Sequence, residues 1–294
     1  VFSIYDKKIG GGSTIKTITC QEIIDAVAKL CIEACHHLGD DVLKAFEDAA
    51  AKETAQGGKE ILKLLTENAR IAKEDNIPIC QDTGFAVVFL EIGQQVKIEG
   101  GDINQAINEG VRLGYKKGYL RKSIVGHPLN RVNTGDNTPC VIHTTMVPGE
   151  NIKITVAPKG GGSENMSALK MLKPAEGVEG VKEFIINTVK NAGPNPCPPL
   201  IVGVGIGGTM EKAAIMAKEA LLRDIGSVNP QRDLAQLEDE LLEEINKLGI
   251  GPQGLGGRTT ALAVHIKTFG THIASLPVAV NLNCHASRHK SVLL

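Results

Sequence analysis

The sequence contains no tryptophan, and only 3% of its 294 residues are aromatic. Base-stacking platforms and aromatic-rich recognition loops are therefore excluded as organising features. Neither charge is in excess: 32 basic residues stand against 33 acidic ones, a net charge of −1. The basic footprint of a nucleic-acid binder is missing. No apolar run approaches the ~20 residues that a membrane-spanning helix needs, and the nearest, residues 200–208, is broken by glycine. The seven cysteines, at positions 20, 31, 35, 80, 140, 197 and 284, are odd in number and scattered. A small secreted scaffold would have a denser, paired set, so reduced thiols and a cytoplasmic protein are expected. Residues 1–13 lack the apolar core of a signal peptide and end in a linker-like GGGS. Residues 1–16 are read as a disordered or appended start that takes no part in function.

The 42% apolar and 22% charged fractions are those of an ordinary globular protein. A chain of this length buries roughly 75% of its unfolded surface, so it needs no metal merely to fold. Ile23, Ile24, Val27, Leu30, Cys31 and Ala34 recur at helical spacing behind a cap at Thr19. Further helical patterns cover residues 41–54 and 59–75, which suggests a helical subdomain over residues 17–75. A helix capped by Asp102 is expected over residues 102–120, then strands over 141–147 and 152–157. The glycine loop at residues 159–163 is expected to feed a helix, and residues 200–222 repeat a strand–loop–helix theme. A leucine stripe marks a helix over residues 231–248, and residues 261–283 are strand-like. The reading is an α/β fold, with a helical N-terminal region followed by mixed strands and helices.

The cysteines fall into two groups. Cys31 and Cys35 share the apolar helix face beside His36 and His37, which suits buried core thiols better than a metal site. Cys80, Cys197 and Cys284 instead sit in turn-rich segments, PICQDTG, NPCPP and NCHASRH. Proline on both sides keeps Cys197 out of any helix. Thiolates on rigid loops are candidate metal ligands, although no C-x-x-C pair strengthens the signal. Two glycine loops are candidate anion cradles, KGGGS at residues 159–163 and the G-x-G-x-x-G formed by Gly203, Gly205 and Gly208. The second supports, weakly, a nicotinamide-dependent oxidoreductase, but a second strand ending in an acid is missing. Candidate acid–base and carboxylate-binding groups are Asp82, His272, His285, His289, Arg121 and Arg131.

Taken together, IPICQDTG, KGGGSENMSALKML, NPCPP followed by VGVGIGGTMEKA, and NCHASRH resemble the class I fumarate hydratase and L(+)-tartrate dehydratase family. The likeness is to its α subunit, which corresponds to the N-terminal domain of single-chain members, and runs over residues 17–294. The resemblance implies one catalytic domain built around a cluster-binding core. It implies a [4Fe–4S] cluster with three cysteine ligands, Cys80, Cys197 and Cys284, and one open iron. The expected activity is a hydro-lyase interconverting fumarate and L-malate in the tricarboxylic acid cycle, with tartrate dehydration as the alternative. By the same resemblance Gln81, Asp82, Arg121, Gly161 and Asn165 contact substrate, and Asp82, Arg121 and His272 serve catalysis. Single-chain members complete the site with a second domain that carries a catalytic Thr, further Arg residues and a Lys. Ten residues follow Cys284 here. A separate β subunit, an assembly such as α2β2 and little activity for this chain alone are therefore expected.

Overall fold

A Thr-x-x-Glu sequence starts the folded chain. In the computed structural model, which describes residues 15–294, β1 (Lys16–Thr19) leads directly into α1 (Cys20–His36). Residues 1–14 of the linker-like start lie outside the described residues, whereas Lys16 already belongs to a strand. The Thr19 hydroxyl accepts from the Glu22 N–H at 3.2 Å, and the Glu22 carboxylate accepts from the Thr19 N–H at 2.8 Å. This reciprocal box satisfies two orphan donors and fixes the helix start. α2 (Asp40–Lys52) and α3 (Gln56–Glu74) complete the helical N-terminal region. β2 (Phe85–Gly93) and β3 (Val96–Glu99) precede α4 (Ile103–Lys117), whose cap Asp102 accepts from the Gln105 N–H at 2.8 Å. β4 (Val141–Val147) and β5 (Ile152–Lys159) follow as expected.

The glycine loop departs from expectation. It makes a single helical turn, α5 (Gly161–Glu164), and the chain then enters a strand, β6 (Ala168–Leu172). Glycine, serine and asparagine are poor helix formers, and the edge of a neighbouring strand captures the segment instead. Ser167 Oγ accepts from the Leu282 N–H at 3.1 Å, and the pairing continues from Ala168 opposite Val280 to Leu172 opposite Leu276. The remaining elements are α6 (Gly177–Ala192), β7 (Leu200–Gly207), α7 (Met210–Ala220), α8 (Arg232–Lys247), β8 (Ala261–Phe269), β9 (Leu276–Asn283) and β10 (Lys290–Leu293).

Two mixed four-stranded sheets, ordered β10-β5-β2-β4 and β6-β9-β7-β8, form the frame, with β1 and β3 pairing separately. The first sheet packs its Val88, Leu90, Ile154 and Val156 against α1 and α4. The second packs Val202, Val204, Val264 and Val280 against α6 and α8. A third apolar cluster joins α2 and α3 through Phe46 and Leu62, and Cys80 and Cys284 rest on its edge. The fold is thus α/β with mixed sheets. Residues 284–289 run from the end of β9 in one sheet to the start of β10 in the other, so Cys284 lies where the sheets meet. No helix among the described residues is long and apolar enough to cross a membrane.

Candidate active site

A hydrogen bond ties the Cys197 loop to the Cys284 loop, and Arg288, four residues after Cys284, donates to the Asp82 carbonyl in the Cys80 segment. Cys80 follows Ile79, whose N–H donates to the Cys35 carbonyl at 3.0 Å. The Cys197 carbonyl accepts from the His285 N–H at 3.2 Å, which ties the Cys197 loop to the residue after Cys284. Gln253 Nε2 donates to the Pro198 carbonyl at 2.7 Å and lies 3.0 Å from His285 Nδ1, holding the same two loops from outside. Cys197 is exposed and adopts a left-handed backbone, φ 57°, whereas Cys80 and Cys284 are half-buried. Burial pushes the Cys197 thiol up, and Cys284 and then Cys80 push it the same way, as expected when three sulfurs share one neighbourhood.

Three thiols on separate loops are a donor set of the kind that can hold an iron–sulfur cluster. Among the described residues no three His, Cys, Asp or Glu side chains gather closely enough to hold one metal ion. A cluster asks instead for thiolates that each reach a different iron. The chemistry of the surroundings agrees. Arg288 is buried, and its Nε and Nη1 meet no hydrogen-bond partner among the described residues. Its charge lies within electrostatic reach of Cys284 and Cys80. An unpaired buried guanidinium beside thiols suits a site that holds a negatively charged group.

Asp82, two residues after Cys80, opens into a cavity of about 500 Å³, lined also by Arg121, Ser123, Lys159, Gly161, Glu164, Asn165 and Lys218 among others. That size is ordinary for a small-molecule site. Asp82 is set by backbone donors, accepting from the Gly84 N–H at 3.0 Å and the Gly161 N–H at 2.8 Å. The Gly161 N–H is thus turned towards the Asp82 carboxylate, at the start of a helix of a single turn. Gly84, with φ 80°, allows the close crossing: a Cβ there would stand 2.8 Å from the Lys159 backbone. Arg121 is positioned through its main chain, since its N–H donates to Thr83 Oγ1 at 2.9 Å and its carbonyl accepts from that hydroxyl at 3.2 Å.

Lys159 is the buried charge of the cavity, 6% exposed. Its Nζ donates to Ser163 Oγ at 2.8 Å and to the Leu282 carbonyl at 2.7 Å, and lies 3.4 Å from the Glu164 carboxylate. Burial pushes its pKa down to about 8 against the opposing pull of Glu164. Glu164 is also bonded by Lys218 Nζ at 2.6 Å and Asn281 Nδ2 at 2.9 Å. Burial acts to raise its pKa, but Lys159 and Lys218 outweigh this and hold the carboxyl below its ordinary value. With Arg121, the cavity has three cationic side chains against two carboxylates.

The structure therefore gathers Asp82, Arg121, Gly161 and Asn165 in one cavity; Cys80, Cys197 and Cys284 are not among its lining residues, and Asp82, two residues after Cys80, is the link between them. Gln81 is exposed between Cys80 and Asp82 and does not line the cavity. His272 stands apart, exposed in the loop between β8 and β9. The eight residues of β9 separate that loop from Cys284, roughly 27 Å at the rise of an extended strand. His289 and Arg131 do not line the cavity either. Lys159, Glu164 and Lys218 were missed by sequence reasoning. Lysine beside a glycine loop was in plain view, but burial is not readable from local pattern. Gly203 and Gly205 lie inside β7, where a Cβ would strike α7 carbonyls at 2.1 Å. They permit close helix–sheet packing and are not in the phosphate-binding turn that a dinucleotide site requires. Cys31 and Cys35 are core thiols, fully buried.

The profile of the family described as Fumarate hydratase (Fumerase) matches residues 24–293. A protein of Methanocaldococcus jannaschii, provisionally named L(+)-tartrate dehydratase subunit alpha, is 48% identical over 273 residues, 91% of this chain and 95% of that protein. The L(+)-tartrate dehydratase subunit alpha of Escherichia coli O157:H7 is 34% identical over 277 residues, 93% of this chain and 91% of its own length. That of Escherichia coli strain UTI89 is 35% identical over 271 residues, 91% and 89% of the two chains.

Proposed function

Because the chain belongs to the fumarate hydratase family, we propose that it is the α subunit of a two-subunit hydro-lyase that reversibly hydrates fumarate to L-malate. The observation that carries the reading is the placement of the Cys80, Cys197 and Cys284 loops together, by shared packing and the His285–Cys197 hydrogen bond, with Asp82 leading from Cys80 into a cation-rich cavity that also holds Arg121. Cys80, Cys197 and Cys284 would hold a [4Fe–4S] cluster, which when bound supplies a Lewis acid at the iron that has no protein ligand. Arg121 binds a substrate carboxylate through its planar fork, with Asn165 as a further polar contact. Gly161 has no side chain and leaves the floor of the cavity open to the dicarboxylate. Lys159 and Lys218 offset the charge of Glu164, so that the cavity accepts a dianion. Asp82, fixed by two N–H donors, is held ready to assist the base that takes a proton from the substrate carbon.

The partner β subunit supplies that base, a threonine in the family, together with further cationic groups. Donation of a proton to the departing hydroxyl by His272 requires another chain to bring it to the reacting atoms, since β9 holds it away from this cavity. The names of the relatives favour a second reading, dehydration of L(+)-tartrate, which adds one hydroxyl to the same four-carbon dicarboxylate. Parallel anaerobic assays of the chain with its partner subunit, on malate, fumarate and L(+)-tartrate, test both. Turnover of fumarate and malate well above that of tartrate supports the first reading. Turnover of tartrate alone replaces it with the second, and turnover of none removes the hydro-lyase assignment.

A further inference from the structure

Among the described residues the Arg288 side chain has one hydrogen bond, from Nη2 to the Asp82 carbonyl, although it is only 4% exposed. Its Nε and Nη1 are buried and meet no acceptor among the described residues. Orphaned buried donors are rare, and on a full charge they are more costly than on an amide. The groups around it give no relief. Burial raises the Cys35 thiol to about 11 and lifts the Tyr115 hydroxyl well above its ordinary range, so both are neutral near pH 7. The Asp82 carboxylate is already engaged by the Gly84 and Gly161 N–H groups. Of the other groups within electrostatic reach, His285 offers no negative charge, which leaves Cys80 and Cys284, on the two loops that Arg288 joins.

We propose that Arg288 is a positioning residue for the iron–sulfur centre, donating its Nε–H and Nη1–H to thiolate or sulfide sulfur and balancing the centre's negative charge. The inference rests on the cluster reading above and adds a residue to which neither the motifs nor the cavity assigns a role. The guanidinium suits the task because it keeps its charge when buried and presents several donors in one plane. One end of the fork anchors the Asp82 main chain and the other faces the sulfurs, so the same side chain registers Asp82 against the cluster.

A merely structural arginine and a cluster-facing one predict opposite signs. The test uses the full chain co-produced with its partner subunit, as wild type, Arg288→Met and Arg288→Lys, each metal-free and after anaerobic reconstitution. Two readouts are taken besides activity: the melting temperature of the metal-free protein and the rate of loss of cluster absorbance to a chelator. Arg288→Met is expected to leave the metal-free melting temperature unchanged or higher, because an uncompensated charge is removed. It should lose its cluster about tenfold faster or more, the usual scale for removing an outer hydrogen-bond partner of a metal site. Arg288→Lys, which keeps the charge and loses the fork, should fall between the two. A metal-free protein that melts lower or fails to fold in Arg288→Met, or cluster loss as slow as in wild type, overturns the proposal and leaves the cluster reading standing. A wild-type protein that takes up no iron removes both.

Discussion

At Asp82, two main-chain donors fix a carboxylate two residues from a candidate ligand and on the wall of the cavity. Asp82→Asn keeps the size and one acceptor but removes the charge. In the assembled enzyme it is expected to lower kcat by about 10²- to 10⁴-fold while iron content stays at the wild-type level. Unchanged turnover would take Asp82 out of the mechanism. Lys159 gives a pH test. Its folded pKa, about 8, lies below its ordinary 10.5, so between these values the unfolded chain binds more protons than the folded one. Stability therefore rises with pH across that window. Relative to Lys159→Met, wild type should gain stability as pH goes from 8 to 10.5, and a flat difference in melting temperature would contradict the buried charge. These two residues also mark what was legible. Asp82 could be read from its place beside Cys80 in a turn. Lys159 and Arg288 could not, because a charged residue next to glycine or in a polar loop reads as solvated until the tertiary fold buries it.

Elements bring the loops together, and one clamp does so by a single carboxylate. Glu53, 1% exposed at the end of α2, accepts from the N–H groups of Ala55, Arg258 and Thr259 at 2.8–3.0 Å. It thereby ties the helical hairpin to the loop that presents Gln253 to Pro198 and His285. Burial acts to raise its pKa, but the backbone donors outweigh this and hold it near 2, below its ordinary 4.5. Its stabilisation is therefore complete above pH 4.5 and is lost as pH falls towards 2. Glu53→Gln should cost about 2 kcal/mol at neutral pH, the scale of hydrogen bonds to a charged group. The difference from wild type in denaturant melts should shrink below pH 4.5; a constant difference would contradict the clamp. At this scale the amphipathic helices and their caps at Thr19 and Asp102 were readable, since their signals are local. The segment at residues 168–172 was not. Its strand state comes from pairing with β9, more than a hundred residues away, against a sequence that also suits a helix.

In the whole molecule, residues 284–289 bridge the two sheets, so the third cysteine, Arg288 and the end of β9 are placed together by the packing of sheet against sheet. Composition and motif gave the class of fold and the cysteines, but not the strand order that performs this convergence. Arg121, Lys159 and Lys218 line the cavity and His272 does not. Mixing the separately purified partner subunit with this chain under anaerobic conditions should raise hydratase activity from near zero, and full activity in this chain alone would contradict a shared site. The most direct test of the central claim is the iron and acid-labile sulfide content of the chain after anaerobic reconstitution with its partner, for wild type and Cys197→Ser. About four iron and four sulfide per chain are expected in wild type, with loss of both in the variant. A well-folded wild-type complex without iron, or a Cys197→Ser complex that retains a full cluster, would contradict it.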